Sequence, residues 1–391
     1  MCDIEIKKLD GTKVVLFSGK IDTTNALEVE EKIISNLSEV DDVIFDFENL
    51  EYISSAGLRF VLKIQKRVKS LEIINVSRDV YEVFDMTGFS QIIKIKKALR
   101  VLSIEGKELI GEGYMGKVYR YDPETILKVY TRYSDMKDIE REIELAKKAF
   151  VIGLPTAIPF DLVKVKEGGY GSMFELINSQ PLNDLMRKHP EDNDKYIQMY
   201  ASLLKQMMSL TIDDPSSIPD KRDNAKEWFD LLKKEKVFDE ATLIKLEKLI
   251  NSIPDDNHLV HGDFHVKNIM MQGDEPLLID MDTLGHGHPI FEITAFFLTY
   301  IGYPSTEPGN VEAFLGIKDE VAKKLFKYSI DYVYSDRSEQ EREEIIEKCS
   351  LLGYMWLMYK TIIFEKENKK RFEHARIKVL ELIDKYQSLK F

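Results

Sequence analysis

The chain has little of what a secreted or membrane-spanning protein needs. Only two of its 391 residues are cysteines, Cys2 and Cys349, and a pair so far apart provides no disulfide framework. Its longest apolar stretches, such as residues 290–301, are too short and too interrupted to span a bilayer. No secretory signal pattern is present at the N-terminus. The sequence therefore predicts a cytoplasmic protein that does not enter a membrane.

Excess positive charge is also lacking. The net charge of −13 argues against general nucleic-acid binding. Residues 1–98 carry 17 acids and 14 bases, which leaves 51 acids and 41 bases, a net charge of −10, for the remainder. An acidic second part suits a cationic small substrate such as an amine or an aminoglycoside, although such a charge is also ordinary for a soluble protein.

Long Gly/Ser linkers, internal repeats and low-complexity tracts are absent as well, and 391 residues have room for two or three cores. In the first 98 residues, short strands alternate with helical patterns, which predicts a small α/β domain. The strands are predicted at 14–17, 43–47 and 71–75, and the helices at 24–37, 56–68 and 80–86. Later segments show apolar residues at helical spacing, namely 196–210, 224–235, 241–253, 311–334 and 343–364.

A polar motif in the second part carries chemistry. The segment His261-Gly-Asp-Phe-His-Val-Lys-Asn268 is followed by a predicted apolar strand at 276–279 and then by Asp280-Met-Asp282. Asp263 can accept the proton of an attacking hydroxyl, while Asn268 and Asp280 offer hard oxygen ligands for a magnesium ion that bridges nucleotide phosphates. The alternative is a polar loop whose acids cap helices. The pattern favours a phosphoryl-transfer site.

A glycine motif lies upstream. Ile110-Gly-Glu-Gly-Tyr-Met-Gly-Lys-Val118 has the form G-x-G-x-x-G-x-V, with Gly111, Gly113, Gly116 and Val118 at the defining positions. The form alone is weak, because glycines also serve hairpins and dinucleotide-binding turns. A dinucleotide fingerprint should open a helix, whereas a β-branched and aromatic cluster follows Gly116 here. The motif therefore predicts a strand-loop-strand that covers nucleotide phosphates, as in kinases.

A lysine and an acid complete the pattern. Residues 125–130 predict a strand with one embedded lysine, Lys128, and a helix with several acids is predicted at 139–149. A lone lysine on a strand is usually a solvent residue, and most acids of such a helix form a solvated face. One acid, however, can pair with Lys128 and hold it on the α- and β-phosphates. We choose Glu142, with two alternatives, Glu140 and Glu144. Together the elements predict a kinase.

A serine pair, Ser54 and Ser55, stands where a strand runs into a helix, the position of an N-cap. One of them can be simply the cap, but a serine at a helix N-terminus is also well placed to carry phosphate. The helix that follows has no acid before Glu72. Its bases form either a solvated face or a docking surface: Arg59, Lys63, Lys66, Arg67 and Lys69.

In its H-G-D-x-H-x-x-N loop and its I-D-x-D acid, the chain from about residue 100 to 391 resembles the aminoglycoside phosphotransferase and choline kinase family. The resemblance implies an α+β bilobal protein-kinase-like domain over 99–391, with a β-rich N-lobe to about 177 and a helical C-lobe from 178. It implies use of ATP and Mg²⁺. It also implies that Asp263 is the catalytic base, Asn268 and Asp280 are magnesium ligands, and Lys128 anchors phosphate.

Further positions follow from the same resemblance. The hinge between the lobes should lie at 173–177, where the backbone near Glu175 and Ile177 would bond adenine. His265 should brace the loop. In the family an Asp usually anchors a helix after the metal acid, and this chain has Glu292 there, so an anchoring role for Glu292 stays open. Asp282 either assists the metal or is structural, and candidates for acceptor contact are Asp213, Asp214 and Trp228.

Residues 1–98 resemble the STAS domain, the fold of bacterial anti-sigma-factor antagonists, at Tyr52-Ile-Ser-Ser-Ala-Gly-Leu-Arg59. Aligned on Gly57, Ser55 falls on that family's phosphorylated serine and Ser54 replaces the preceding acid. The resemblance implies an α/β domain that binds an anti-sigma-factor-like protein, with Ser55 as the candidate phosphoacceptor.

Two functions remain open on the sequence. The first is a phosphotransferase that moves the γ-phosphate of ATP to a hydroxyl of a small molecule, regulated or localised by its STAS domain. The second is a signalling protein that acts by STAS-domain partner switching, with a kinase domain that senses nucleotide or phosphorylates a protein serine such as Ser55. The intact set of Lys128, Asp263, Asn268 and Asp280 favours the first.

Overall fold

The computed structural model describes residues 2–9, 11–113, 115–131, 136–177 and 179–391. The chain divides into two compact units, which we call unit 1 (residues 1–103) and unit 2 (residues 104–391). The boundary expected from the sequence, between 98 and 99, lies a few residues before this division. Each unit has its own buried core.

Unit 1 is an α/β structure, as its alternating pattern predicts. Its elements are β1 (Cys2–Leu9), β2 (Thr12–Ile21), α1 (Ala26–Ile34), β3 (Asp42–Ile53), α2 (Ser55–Arg67), β4 (Ser70–Val76), α3 (Arg78–Met86), β5 (Lys94–Lys97) and β6 (Arg100–Leu102). Among the described residues, five of these strands form one sheet in the order β1-β2-β3-β4-β5. The first pair is antiparallel and the other neighbours are parallel.

The two edge strands of this sheet, β1 and β5, were not predicted. Their sequences, Cys2-Asp-Ile-Glu-Ile-Lys-Lys-Leu9 and Lys94-Ile-Lys-Lys97, are rich in charge, and their side chains are only half-buried or exposed. An edge strand faces solvent along one side and therefore carries a weaker apolar signal than a central strand. The central strand β3, by contrast, buries Phe45 and Phe47 completely.

Helix α2 lies unusually close to the sheet of unit 1. A Cβ atom at Gly57 would stand 2.6 Å from Cγ1 of Ile53 and 2.8 Å from Cγ2 of Ile21, both of which are buried core residues. Only glycine leaves room for this approach. The N-terminus of α2 is thereby fixed against the ends of β2 and β3, which determines where the serine pair stands.

The first part of unit 2 is β-rich. It comprises β7 (Glu108–Glu112), β8 (Gly116–Arg120), β9 (Thr125–Tyr130), α4 (Met136–Ile152), β10 (Pro159–Val165) and β11 (Tyr170–Glu175). Within unit 2 the strands lie side by side in the order β10-β11-β9-β8-β7, and each neighbouring pair is antiparallel. The predicted strand-loop-strand at the glycine motif and the predicted strand at 125–130 are both confirmed.

The second part of unit 2 is mainly helical. It comprises β12 (Gln180–Pro181), α5 (Leu182–Lys188), α6 (Asn193–Ser209), α7 (Lys221–Lys234), α8 (Glu240–Asn251), β13 (Leu259–Val260), β14 (Ile269–Gln272), β15 (Glu275–Leu278), β16 (Gly285–His286), α9 (Ile290–Phe297), α10 (Tyr303–Thr306), α11 (Asn310–Leu315), α12 (Asp319–Val333), α13 (Glu339–Phe364) and α14 (Lys369–Leu382). A π-helical turn, Leu298–Gly302, joins α9 to α10.

The segment 311–334, which shows apolar residues at helical spacing, is helical but forms two helices, α11 and α12. Helix α11 ends at Gly316 in the left-handed conformation with φ of +74°. Glycine adopts this conformation without strain and commonly ends helices there. Apolar residues at helical spacing continue across the break because both helices pack on the same core, so periodicity alone could not show it. Among the described residues, none of the helices has both the length and the apolar composition that a membrane span requires.

We expect residues 1–103 expressed alone to unfold in one cooperative transition, because they have a core of their own. In that fragment Leu58→Ala should lower the free energy of unfolding by about 2 to 5 kcal/mol, since Leu58 is 7% exposed. Leu27→Ala is the matched control on another helix and should change it by no more than about 0.5 kcal/mol, since Leu27 is 65% exposed. Urea denaturation measures both, and a fragment without a transition would show that the boundary is misplaced.

Candidate active site

Lys128 lies on β9, in the middle of the sheet of unit 2. Its backbone pairs with Val118 on β8 and with Ser172 on β11, so the position is rigid. The Lys128 Nζ is 2.6 Å from Oε1 of Glu142 on α4 and 3.1 Å from Oδ1 of Asp280. Glu142 is 3% exposed, and it is the acid of α4 whose carboxylate meets the lysine. The three side chains form one charged cluster, the Lys128 cluster.

The electrostatics of the Lys128 cluster keep the ammonium charged. Burial by itself would lower the pKa of Lys128, but the carboxylates of Asp280 and Glu142 outweigh it and raise the pKa above its ordinary value. Burial raises the pKa of Glu142, although Lys128 opposes that shift. A charged donor fixed in this way can bind an anionic group in the space beside it.

The glycine loop between β7 and β8 closes on itself, because the Gly113 N–H donates to the Gly116 carbonyl at 2.9 Å. A Cβ atom at Gly116 would stand 2.1 Å from the Val129 carbonyl oxygen, so β8 needs glycine there to pair with β9. At Gly113 a Cβ atom would meet nothing within 4 Å, and at Gly111 it would meet only Val118, at 3.7 Å. Of the three glycines, Gly116 is therefore the one that packing against the described residues requires. Tyr114 of this loop lies outside the described residues.

The loop after β13 holds Asp263 beside two polar partners. The Asn268 side chain donates from Nδ2 to the Asp263 carbonyl (3.0 Å) and to Oδ2 of its carboxylate (3.2 Å). Nε2 of His265, a 5% exposed residue, is 3.5 Å from the same Oδ2. Burial would raise the pKa of Asp263, but the hydrogen bond from His265 and nearby positive charge lower it to about 2. The carboxylate is therefore ionised at neutral pH and able to accept a proton.

Asp280 follows β15 in a left-handed conformation, with φ of +69°, which aspartate tolerates better than most residues. The backbone beside it is tied to the loop of residues 261–268, which we call the catalytic loop because it carries the candidate base Asp263: the Ile279 N–H donates to the Asn268 carbonyl at 2.8 Å. Asp280 and Asn268 are thus brought together, and their side-chain oxygens are of the kind that Mg²⁺ prefers. No cluster of three His, Cys, Asp or Glu side chains within the described ranges is arranged to hold a metal ion. Two protein ligands completed by water and phosphate are the usual arrangement for Mg²⁺ in nucleotide sites, so the residues fit this cation.

Asp282 lies close to the same acids. Burial, followed by the negative charges of Asp280 and Glu142, raises its pKa to about 7. Near neutral pH it is therefore only partly ionised. Such a group would gain its full charge when a cation or a cationic side chain approaches.

Helix α9 anchors the catalytic loop through Glu292. One carboxylate oxygen of this completely buried residue accepts hydrogen bonds from the N–H groups of His261 (2.7 Å) and Gly262 (3.0 Å). Burial raises the pKa of Glu292 to about 7, in spite of both hydrogen bonds. The anchoring role left open by the sequence is thus seen in the geometry. Glu292 thus reaches both N–H groups from a position where the family that the chain resembles usually has an aspartate.

Two buried tyrosines hold the loop further along, and sequence reasoning missed both. The Tyr200 hydroxyl donates to the Phe264 carbonyl at 2.8 Å, and the Tyr300 hydroxyl accepts from the Val266 N–H at 3.1 Å. Tyr300 lies in the π-helical turn. Aromatic residues at helical spacing look like core, and nothing in the sequence marks their hydroxyl groups as supports.

Lys221 was also missed. It is 7% exposed, at the start of α7, and its ammonium donates to the Thr283 carbonyl. Glycines make room for its stem: a Cβ atom at Gly285 would stand 2.7 Å from Lys221 Cε, and one at Gly262 would stand 3.4 Å from Nζ. Lys221 therefore joins α7 to the loop after Asp280. The sequence shows the glycines around the motif, but nothing in it identifies Lys221 as the side chain for which they make room.

At the expected hinge, two backbone N–H groups are already engaged. Those of Glu175 and Leu176 donate to the carbonyls of Ile158 (2.9 Å) and Glu124 (2.7 Å). Ile177 is 8% exposed, at the point where the chain leaves the sheet. Asn178 lies outside the described residues.

The three candidates for acceptor contact differ in burial: Trp228 is buried, whereas Asp213 and Asp214 are exposed. Trp228 is 5% exposed and stacks on Trp356, with ring centroids 5.0 Å apart and planes at 7°. Asp213 and Asp214 are exposed, and the Asp214 carboxylate accepts from the Ser216 N–H at 3.1 Å, which caps a short 3₁₀ turn. Trp228 is thus part of an aromatic platform, while Asp214 has a local structural task.

Comparison with known proteins gives two family matches. Residues 3–101 match the family model described as the STAS domain, and residues 108–316 match the model described as the phosphotransferase enzyme family. The BtrV protein of Bordetella bronchiseptica is 29% identical over 97 residues, which cover 24% of this chain and 84% of that protein. The anti-sigma-B factor antagonist of Bacillus subtilis is 28% identical over 97 residues, 24% of this chain and 89% of that one.

Among solved structures, the chain is similar to a thermostable mutant of aminoglycoside phosphotransferase APH(4)-Ia in ternary complex with ADP and hygromycin B. The identity is 14%, the TM-score is 0.48, and the match covers 71% of this chain and 93% of that one.

We expect Glu292→Ala to destabilise the protein strongly, because it leaves two buried N–H groups without their acceptor. At about 1 to 3 kcal/mol for each unsatisfied donor, the free energy of unfolding should fall by about 2 to 5 kcal/mol. Glu343→Ala removes the same side chain from an exposed position and should change it by about 0.5 kcal/mol at most. Equal urea midpoints for the two variants would contradict the anchoring role.

Proposed function

The chain belongs to the phosphotransferase enzyme family, and on that premise we propose that it transfers the γ-phosphate of Mg-ATP to a hydroxyl group of a small molecule. The observation that carries the proposal is the charged cluster of Lys128, Glu142 and Asp280, linked through Asn268 to an ionised Asp263. An ammonium, two side chains with oxygen donors and a carboxylate thus lie in one region of unit 2, which is the set of groups that phosphoryl transfer needs.

In this proposal the nucleotide lies between the glycine loop and the Lys128 cluster. Lys128 bonds the α- and β-phosphates, and Glu142 keeps it in place. The open space at Gly113 lets the backbone approach the phosphates. Since the N–H groups of Glu175 and Leu176 are engaged, adenine would bond to the Glu175 carbonyl and the Ile177 N–H.

Asn268 and Asp280 would hold Mg²⁺, which neutralises negative charge on the transferred phosphoryl group. The chain's own residues do the rest. Asp263 accepts the proton of the acceptor hydroxyl as its oxygen forms a bond to the γ-phosphorus, while the bond from that phosphorus to the β,γ-bridging oxygen breaks and ADP leaves. Asn268 and His265 keep the Asp263 carboxylate turned towards that proton.

Residues 3–101 are a STAS domain, and we propose that they bind a partner protein related to anti-sigma factors. The proposal is supported by similarity to the anti-sigma-B factor antagonist of Bacillus subtilis. Ser54 is 7% exposed and accepts from the Gly57 N–H at 3.4 Å, so it is the helix cap. Ser55, the first residue of α2, is exposed. Its hydroxyl is the accessible one, which favours Ser55 as the phosphoacceptor in the alternative signalling function.

We expect Asp263→Asn to bind Mg-ATP as the unchanged protein does and to lower turnover by a factor of about 10² to 10⁴, the usual loss for a general base. Asp280→Ala should instead abolish the Mg²⁺-dependent part of nucleotide binding. Calorimetric titration measures the binding of Mg-ATP, and the release of ADP measures turnover. Undiminished turnover in Asp263→Asn would remove Asp263 from the role of base, and Glu343→Ala serves as the neutral control.

If the STAS domain is a substrate of the kinase domain, incubation with Mg-ATP should place phosphate on Ser55, and peptide mass spectrometry will detect it. Asp263→Asn should then leave Ser55 unmodified. Ser54→Ala should lower stability by about 1 kcal/mol, as loss of a cap does, without removing the phosphate. An unmodified Ser55 together with transfer to a small molecule would make the STAS domain a docking module only.

A further inference from the structure

A cavity of about 380 Å³ lies between α4 and the segment that leads into α7. One wall is a single face of α4, formed by residues three or four positions apart: Arg141, Glu144, Leu145 and Lys148. The other wall is the segment 216–219. Ligand pockets in proteins measure about 300 to 1,000 Å³, so this cavity has room for a small molecule. Among the described residues, those that line it include none of the catalytic candidates.

Two cationic side chains line this cavity, Arg141 and Lys148. The Lys148 ammonium donates to the Ser217 carbonyl of the opposite wall, which uses one of its three N–H donors. Arg141 is exposed, and within the described ranges it forms neither a hydrogen bond nor an ion pair. Its guanidinium therefore keeps its planar set of five donors, a shape that matches the oxygen atoms of a phosphate.

The acid that lines the cavity is Glu144, which would repel an anion. Its carboxylate oxygen Oε1 lies 3.1 Å from Nζ of Lys147, one turn further along the same helix. Lys147 thus offsets the charge of Glu144, and the charges of Arg141 and Lys148 remain to act on a ligand. The cavity therefore favours a negatively charged group.

The helical wall of the cavity is connected to the Lys128 cluster. Arg141 is followed directly by Glu142, whose carboxylate oxygen lies 2.6 Å from Nζ of Lys128. Because α4 is one continuous helix from Met136 to Ile152, a displacement of the wall displaces Glu142 as well. A ligand that fixes this face of α4 also fixes the partner of Lys128.

The opposite wall is connected to the segment that follows Asp280. The Pro219 carbonyl accepts from the His286 N–H at 2.9 Å, and two residues later the Lys221 ammonium donates to the Thr283 carbonyl. Asp280, three residues before Thr283, is the other acid of the Lys128 cluster. The two walls of the cavity thus lead to the two carboxylates that hold the lysine.

We propose that this cavity is a regulatory site for a small phosphorylated compound, whose phosphate is bound by Arg141 and Lys148. A phosphate that bonds both cations holds α4 beside the segment 216–219, because Lys148 already contacts that segment. It thereby stabilises the arrangement in which Glu142 meets Lys128, and nucleotide binding is strengthened. The inference rests on the proposed function, because it names a regulator of the proposed nucleotide site.

Binding is tested on the full-length protein saturated with Mg-AMP-PNP, so that the nucleotide site is already filled. Calorimetric titration follows inorganic phosphate and methyl phosphate at constant ionic strength. Methyl phosphate has no alcohol group and cannot serve as a phosphate acceptor. We expect saturable binding of both compounds, and the tighter of the two shows whether free phosphate or a phosphate ester fits the cavity better.

Variants assign the binding to the cavity. Arg141→Gln and Lys148→Met should each weaken it by about 10-fold or more, as loss of a charged hydrogen bond does. Glu144→Gln should strengthen it by about 2-fold, because the repelling carboxylate is gone; a variant that merely damaged the fold would not bind more tightly. Arg67→Gln removes the same charge from an exposed position in unit 1 and should leave the binding unchanged.

The regulatory effect is measured by titrating Mg-AMP-PNP with and without saturating methyl phosphate. We expect the phosphate to lower the Kd of the nucleotide by about 5-fold or more. The nucleotide must then lower the Kd of methyl phosphate by the same factor, since coupling between two sites is reciprocal. Arg141→Gln should remove this dependence.

The proposal is overturned if neither compound binds the nucleotide-loaded protein, or if Arg141→Gln and Arg67→Gln bind phosphate equally well. It is also overturned if methyl phosphate leaves the Kd of the nucleotide unchanged or raises it. These titrations follow binding without turnover, so they are separate from the test of the proposed function. A protein that shows the coupling but releases no ADP from ATP would contradict phosphotransfer and still support the regulatory site.

Discussion

The charge of Lys128 is the constraint on which the rest of unit 2 depends. A lysine in the middle of a sheet, 16% exposed at its side chain, is costly unless carboxylates lie beside it. Glu142 and Asp280 provide them from a helix and from a loop 152 residues away in the sequence. The sheet, helix α4 and the loop after β15 must therefore meet at one point, and the meeting point is where nucleotide phosphates would lie.

The catalytic loop is under a similar constraint, because its buried backbone groups also need partners although they carry no charge. Its backbone is irregular and buried, so each N–H or carbonyl needs a partner that no regular strand or helix provides. Glu292, Tyr200 and Tyr300 act as these partners from three different places in the core. The loop is consequently held by buried side chains of the core, and these fix the position of Asp263.

The sequence predicted what short motifs encode and missed what depends on distant packing. Lys128, Asp263, Asn268 and Asp280 could be chosen as candidates because their residue types and spacing suit phosphoryl transfer, and contacts link these four residues in the structure. Glu142 could be chosen only among three acids of one helix, and burial separates it from Glu144. Lys221 gave no signal, since a lysine in an amphipathic helix normally faces solvent. Trp228 follows a polar loop in the sequence, yet it is buried, because its partner Trp356 comes from a helix more than a hundred residues later.

The π-helical turn Leu298–Gly302 determines the direction in which the side chains after it point. In such a turn the hydrogen bonds join residues i and i+5 instead of i and i+4, so the turn contains one residue more than a turn of α-helix. Tyr300 lies within it and reaches the catalytic loop, whereas Tyr303 comes after it and lies beside Lys360 and Arg371. In a continuous α-helix one residue fewer would turn Tyr303 by about 100° about the axis. The extra residue of the turn therefore sets the direction in which Tyr303 faces the two cations, while Tyr300 keeps its hydrogen bond to the loop.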